Sequence, residues 1–411
     1  MNGSLRSTGQ RALVLDGDSR AALAIVRSLG RRQVRVIVAS EERASLAGRS
    51  KWCADTLTYP SPCAEPRLFE GWLISVLADM PDAVLFVSSD VTASIAGRCR
   101  NRLPRPAQGL LPPQRSLEIA LDKSATLDLA LKLGVPIPRS IRITRGQAVD
   151  DGGLTLSYPL AIKAAQSDLP RRYATVYARS AAELHALVDE VLRESEAALV
   201  QEVIRGEGTA IFALFDSGSP LVTFAHRRLI EKPPWGGVSA LCCSVEPPPD
   251  ALDAALAMLK ELNWHGPAMV EFKRDAKGVP YLMEINPRFW GSVQLAVRSG
   301  VDFPYLAMQL ALGEAIEPAT ARPAANRWVL GEIDSLITAL LNGVPGRSRL
   351  RELASHLRGL RYGPCFEVER LTDPKPALHE YAAWLRTSAG RFVARWKGGV
   401  ARWGKLSLPE A

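Results

Sequence analysis

Residues 267–288 constrain this chain more than any other stretch. Pro267-Ala-Met-Val-Glu-Phe-Lys-Arg274 and Val279-Pro-Tyr-Leu-Met-Glu-Ile-Asn286-Pro-Arg288 are apolar-rich runs separated by the polar segment Asp275-Ala-Lys-Gly278. Two such runs around a short turn that ends in glycine predict a β-hairpin. If Arg274 pairs with Val279, Glu271 lies opposite Leu282. The two-residue alternation of a strand then puts Leu282, Glu284 and Asn286 on the face of Glu271. Diagonal neighbours on such a face sit ~7–8 Å apart, a span that two carboxylates can bridge to one cation. Val-Glu-Phe and Met-Glu-Ile place both acids in apolar strands, where a carboxylate is rare unless it is paired or holds a metal. Glu271, Glu284 and the carbonyl of Asn286 make an all-oxygen donor set that suits Mg²⁺ or Mn²⁺ rather than zinc. Arg288, two residues on and facing the same way, can fork onto a phosphate oxygen. The competing reading is a hairpin with a polar, solvated face.

The rest of the chain is long enough to build around such a hairpin. It has 411 residues, and ~150 residues per domain suggest two to three domains. A content of 47% hydrophobic and 23% charged residues excludes a disordered chain, a collagen and a disulfide miniprotein. The net charge of +8 fits an anionic ligand or a locally basic tail as well as nucleic acid. Nucleic acid is not expected, because few aromatics sit among basic residues before Trp384. Cys53, Cys63, Cys99, Cys242, Cys243 and Cys365 form no C-x-x-C pair and read as reduced, mostly buried thiols. The first eleven residues carry no apolar signal-peptide core, and no run reaches the ~18 apolar residues of a membrane span. A cytoplasmic protein is the expectation.

Residues 12–16, 21–29 and 34–39 read as strand, helix and strand, and 83–96 repeat the strand–loop–helix pattern. Residues 1–112 are therefore expected to form a doubly wound domain with a parallel sheet. The loop Gly17-Asp18-Ser19-Arg20 precedes a helix but lacks the three glycines of a dinucleotide fingerprint, so it reads as a plain strand–helix connection. Residues 102–113, rich in Pro, Arg and Gly, read as a linker. Asp122 caps a helix that starts near Lys123 and stops at Gly134. Residues 158–163 form a strand, and Ser180-Ala-Ala-Glu183 is a capping box for a helix with apolar positions Leu184, Leu187, Val188, Val191 and Leu192. A strand over 198–204, a turn at 205–208, a strand over 209–215 and a turn at 216–219 follow. Residues 328–341 are helical with one apolar side. From 381 to 409 there is no acid, and Arg386, Arg391, Arg395, Lys397, Arg402 and Lys405 interleave with Trp384, Phe392, Trp396 and Trp403. Such a tail reads as a terminal helix packed on the domain, or as a weak contact with an anionic membrane surface.

Taken with Lys123, Lys163 and Gln201-Glu202 upstream, the set Glu271, then Glu284-x-Asn286-x-Arg288, resembles the ATP-grasp superfamily. The likeness is to its carboxylate–amine ligases and carbamoyl-phosphate-synthase-like members. It covers roughly residues 115–315, with five elements in family order. The resemblance implies a doubly wound domain ahead of a two-lobed ATP-grasp fold and a mostly helical C-terminal region. The implied divisions are 1–112, a small lobe over 113–197, a large lobe with the metal site over 198–322, and an accessory region over 323–411.

The same resemblance implies roles. Lys123 and Lys163 would contact the phosphates of ATP, and Gln201, Glu202, Val203 and Ile204 would be the hinge that holds adenine. Glu207 would lie near the ribose, or is an exposed turn acid. Glu271, Glu284 and Asn286 would hold one or two Mg²⁺ ions. The segment 226–239 looks like the acceptor-side loop, with Arg228, Lys232 and Arg288 around the reacting groups and His226 structural. One departure is that residues 164–173 lack the family's glycines, so Arg171 and Arg172 would serve as a cationic lid. The implied activity is an ATP-dependent ligase that activates a small-molecule carboxylate as an acyl phosphate and joins it to an amine. A phosphotransferase on the same lobes, and a nucleotide-binding regulator without turnover, are the alternatives. A homodimer is left open.

Overall fold

The computed structural model describes residues 9–147, 149, 156–168, 175–317, 319–343 and 348–397, and side chains at 342 and 388–397 are not described. Arg171 and Arg172, and the basic tail beyond 387, lie outside the described residues and side chains.

The N-terminal domain is doubly wound, as the strand–helix alternation predicts. Its parallel sheet runs β3-β2-β1-β4, from β1 (Arg11–Val14), β2 (Arg35–Ser40), β3 (Asp55–Thr58) and β4 (Ala83–Phe86). Helix α1 (Arg20–Gly30) links β1 to β2, α2 (Pro66–Asp79) links β3 to β4, and α3 (Asp90–Arg98) follows β4. β1 is flanked by the first and the second half of the domain, so the crevice at the ends of β1 and β4 is a topological switch point, where α/β sheets place ligands. Asp16, at φ 56°, closes this crevice by accepting from Ser88 N (2.8 Å) and Thr92 Oγ1 (2.9 Å). Ser19 caps α1 by accepting from Ala22 N, and its hydroxyl sits 2.7 Å from that of Ser88.

Residues 102–113 are not a loose linker. They hold a short helix, α4 (Arg105–Gln108), and bury Leu103, Ala107, Leu110 and Leu111. The Pro-Arg composition suggested a solvated connection, but the apolar residues between the prolines pack.

Two further helices, α5 (Gln114–Leu121) and α6 (Lys123–Lys132), follow. Asp122 caps α6 through Ser124 N and Ala125 N, and Gly134 ends the unit at φ 71°. The small-lobe sheet runs β5-β8-β6-β7, from β5 (Ser140–Thr144), β6 (Leu160–Ala164), β7 (Val176–Ala178) and β8 (Ala197–Glu202), and α7 (Ala181–Leu192) covers it. Leu184, Val188, Val191 and Leu192 of α7 meet Leu160, Ile162 and Val200.

The large sheet runs β13-β12-β9-β10-β11-β14. It is made of β9 (Gly206–Asp216), β10 (Ser219–Lys232), β11 (Val238–Val245), β12 (Gly266–Asp275), β13 (Pro280–Asn286) and β14 (Ala325–Arg327). Gly206 and Gly208 already belong to β9, so the turn predicted at 205–208 is shorter than its glycines suggest. One face of the sheet packs against α8 (Pro249–Glu261), α5 and α6. The other face merges with the N-terminal domain through Phe212, Trp290, Phe289 and Phe86; the Phe212 and Trp290 rings stack at 4.3 Å. Helices α9 (Val293–Ser299) and α10 (Phe303–Leu312) fill this seam.

The segments implied by the resemblance thus divide differently in space. Residues 114–132 join the large-lobe core through Ala120 and Ala130 and the N-terminal core through Leu117 and Leu121, rather than the small, α7-covered sheet. β8, which straddles 197/198, belongs to the small sheet, and β14, beyond 322, completes the large one. The C-terminal region continues as α11 (Val329–Asn342), α12 (Arg349–Gly359) and α13 (Lys375–Lys397).

Candidate active site

The hairpin β12–β13 carries the acids, but its register is not the one the turn suggests. Arg274 pairs with Pro280 and Phe272 with Leu282, then a bulge at Met283 brings Glu271 directly opposite Glu284. Leu282 therefore does not share the face of Glu271. It is buried beside Phe272 and Ile285 on the α8 side of the sheet. Without the bulge, the two-residue alternation would place Glu284 on the face of Leu282. The extra residue turns Glu284 and Asn286 to the side of Glu271.

Asn286 stands between the two carboxylates. Its Nδ2 donates to Glu271 Oε1 at 3.3 Å and to Glu284 Oε1 at 3.4 Å. Among the described residues no three or more His, Cys, Asp and Glu side chains gather as a metal cluster. The set here is two acids and an amide. Two carboxylates crowded this closely, with an amide carbonyl available on a neighbouring side chain, fit a hard divalent cation. Each acid also has a cation at its other oxygen. Arg228 Nη2 lies 2.6 Å from Glu271 Oε2, and Lys123 Nζ lies 3.9 Å from Glu284 Oε2. Burial pushes the Glu271 carboxyl up, against the pull of Arg228. At Glu284 burial acts the same way, but Lys123 and Lys163 outweigh it and hold that carboxyl below its usual range. The hairpin thus places two acids of unequal acidity side by side.

The lysines come from the small lobe and its approach. Asp122 orients the first turn of α6, which brings Lys123 Nζ to 2.6 Å from Ser167 Oγ. Lys163, on β6, is pushed down to about 8 by burial, with Glu284 opposing and Lys123 and Lys273 adding to the fall. Lys273 was not singled out by the sequence, although alternation from Glu271 puts it on the same face of β12. A Cβ at Gly236 would come 3.4 Å from both Lys273 Nζ and Tyr177 Oη, so the small lobe, the hairpin and the loop after β10 meet here.

Arg228, on β10, is the centre of a second charged cluster. Besides Glu271 it reaches Glu231 Oε1 at 3.4 Å and Gly237 O at 2.8 Å, and these acids keep it charged despite burial. Lys232 does not join this cluster. Its Nζ sits 2.6 Å from Asp334 Oδ2 and 4.5 Å above the Trp328 ring. His226 is fully buried, its Nδ1 3.2 Å from Ser292 Oγ, and burial pushes its pKa far below the usual range, as a structural histidine requires. Arg288 faces the N-terminal domain, with Nε 2.9 Å and Nη2 3.4 Å from the two oxygens of Asp90 at the start of α3. Asp90 is a second residue the sequence did not reveal; it lies 198 positions away.

At the hinge, Gln201 is buried and donates to Ser140 Oγ at 2.8 Å. Glu202 spends its carboxylate on Arg139, through N at 2.9 Å and Nε at 3.0 Å. Val203 and Ile204 lie between β8 and β9, where the two lobes join. Glu207 is exposed and lies 3.7 Å from Arg227, across the sheet from Arg274. Its placement matches an exposed strand acid.

Residues 194–331 match the family model described as ATP-grasp in the biosynthetic pathway with Ter operon. No curated protein matches the chain by sequence. Among solved structures, L-amino acid ligase from Bacillus licheniformis is similar at 17% identity and TM-score 0.59, over 74% of each chain. N5-carboxyaminoimidazole synthetase from Staphylococcus aureus, solved with ADP, is similar at 14% identity and TM-score 0.61, over 78% of this chain and 82% of that one. The biotin carboxylase domain of Hydrogenobacter thermophilus 2-oxoglutarate carboxylase, solved with MgADP and bicarbonate, gives 15% and 0.59, over 75% and 70%.

Proposed function

We propose that this chain, which has the ATP-grasp fold, uses ATP to activate a small-molecule carboxylate and joins it to an amine. The observation that carries the reading is the facing pair Glu271–Glu284 with Asn286 between them, flanked by Lys123 and Lys163. The relatives named above, solved with ADP or MgADP or called ligases, support it.

A carboxylate resists attack by an amine because oxide is a poor leaving group. Its oxygen attacks the γ-phosphorus of ATP, the bond to the β-phosphate oxygen breaks, and ADP departs. The amine nitrogen then attacks the acyl carbon, phosphate leaves, and a proton passes from nitrogen to solvent. The chain's part is to orient reactants and to balance charge on the moving phosphoryl group. Lys163 would hold the phosphates from the small lobe and Lys123 from the start of α6, and the backbone of 201–204 would hold the base. Glu271, Glu284 and Asn286 would hold Mg²⁺, which would supply positive charge to the phosphoryl group in transfer. Arg228 fixes the Glu271 carboxylate and presents its guanidinium to the acceptor side. Arg288, aimed by Asp90, lies between that side and the switch-point crevice. Lys232, paired with Asp334, would act on the acceptor only by leaving that pair. The six free cysteines suit a reducing compartment, and a cytoplasmic reaction is part of the reading. Among the described residues no helix is long and apolar enough to cross a membrane.

Incubation with ATP, a panel of acids and hydroxylamine tests the reading. Hydroxamate formed together with ADP is the expected result. A stable phosphorylated product would show a phosphotransferase instead, and nucleotide binding without turnover would show a regulator. Glu284→Gln keeps the shape but removes the charge, and turnover should fall about 100-fold or more; an active variant would remove Glu284 from the site.

A further inference from the structure

The end of α1, one side of α9 and the segment between α12 and α13 frame an open pocket of about 400 Å³. Arg31, Arg298 and Arg370 line it, together with Gln294, Phe366 and Glu369. None of the three arginines has a salt bridge among the described residues. Arg298 Nη2 donates to Phe366 O at 2.8 Å, which fixes one guanidinium at the rim. The neighbouring Arg27 is paired with Asp373 at 2.8 Å but still acts on Arg370 as a like charge. Burial and the like charges of Arg27, Arg31 and Arg298 push Arg370 down to about 10. Two exposed guanidinium groups and one half-buried one thus line the pocket beside a single glutamate.

Two residues of the lining also carry buried acceptors that lack donors among the described residues. Gln294 is 2% exposed and its Oε1 has no partner. Glu369 accepts from Tyr381 Oη at 3.0 Å with one oxygen, and its buried Oε2 has no partner. A buried acceptor without a donor is costly and is rare in folded proteins. The hairpin site does not share these residues. α1 separates the two places, with Arg20 near Ser239 O at one end and Arg31 at the other, roughly 16 Å along the helix.

We infer that this pocket binds a small polyanion, a phosphate-bearing compound or a polycarboxylate. The guanidinium groups meet the negative charge in forked hydrogen bonds. The inference does not depend on the chemistry at the hairpin.

Calorimetric titration of the full chain with citrate and with pyrophosphate, at fixed ionic strength, tests it. Saturable binding of either probe is expected, and which one binds tells carboxylate from phosphate. Arg370→Gln and Arg31→Gln should each weaken binding about tenfold or more, since a hydrogen bond to a charged group is lost. Arg31 is exposed, so its variant keeps the test alive if Arg370→Gln fails to fold. Glu284→Gln should bind the probe as the natural chain does, whatever becomes of ligase activity. No saturable binding, equal affinity in both arginine variants, or loss of binding in Glu284→Gln would overturn the inference; the last would put the anion at the hairpin.

Discussion

Lys163 follows Leu-Ala-Ile in β6, and an ammonium at the end of an apolar strand needs a reason to be there. Its company is mixed: Glu284 and Glu271 favour the charge, while Lys123, Lys273 and burial oppose it, and the balance leaves it at about 8. A lysine so placed is charged below that pH and neutral above it, so its hold on phosphate should weaken as pH rises through about 8. Titrating MgATP affinity from pH 6.5 to 9.5 checks this. Lys163→Arg, whose charge persists in that range, should flatten the profile; an unchanged decline would exclude Lys163 as its source. At this scale the sequence was informative wherever a charge interrupts an apolar strand, as at Lys163, Glu271 and Glu284. It was silent on Asp90, because nothing local marks a residue whose partner is Arg288. Lys273 could have been found by carrying the alternation from Glu271 one step further.

Elements were legible by their ends and periodicity, and less so by their partners. Asp122, Ser180 and Ser19 each cap the helix their sequence announces. α5 and α6 pack on the large-lobe core, and α5 also on the N-terminal one, partners that their own pattern does not name. The bulge at Met283 was equally hidden, since Met-Glu-Ile reads as regular alternation. The loop after β10 shows what its glycines are for. A Cβ on Gly237 would lie 2.3 Å from Lys232 O and 2.6 Å from Pro233 Cδ, so the chain can close here only without a side chain. The same turn offers Gly237 O to Arg228 at 2.8 Å. Gly237→Ala should therefore displace Arg228 from the acceptor side and leave the hinge intact. KM for the acceptor acid is expected to rise about tenfold or more with little change in KM for ATP. Equal rises in both would place the effect in the whole lobe rather than the loop.

The whole molecule depends on contacts between its first and last parts, which no local pattern reveals. The C-terminal region looked like an accessory, yet it supplies the edge strand β14 and the partners of two arginines on α1. Arg27 is 1% exposed and fully engaged: Nε reaches Asp373 Oδ2 at 2.8 Å, Nη1 reaches Glu367 O at 3.1 Å, and Nη2 reaches Val368 O at 2.8 Å. Asp373 also accepts from Ser50 Oγ at 2.8 Å and Lys51 N at 2.9 Å, which ties the loop after β2 to the same acid. Arg20, at the other end of the helix, is paired with Glu367 and lies 3.9 Å over the Trp328 ring. α1 is therefore a strut between the N-terminal domain and the C-terminal region, and the large sheet closes against both. Removing one partner of a buried pair leaves the other charge without compensation and costs about 3–5 kcal/mol. Arg27→Ala should lose about that much in urea unfolding, and Arg27→Ala with Asp373→Ala should lose less than the sum of the two single changes. Strict additivity would mean that the two side chains do not act as a pair. Because the strut lies away from Glu271 and Glu284, the folded fraction of Arg27→Ala should keep its affinity for MgATP, which separates the role of α1 in holding the molecule together from the chemistry at the hairpin.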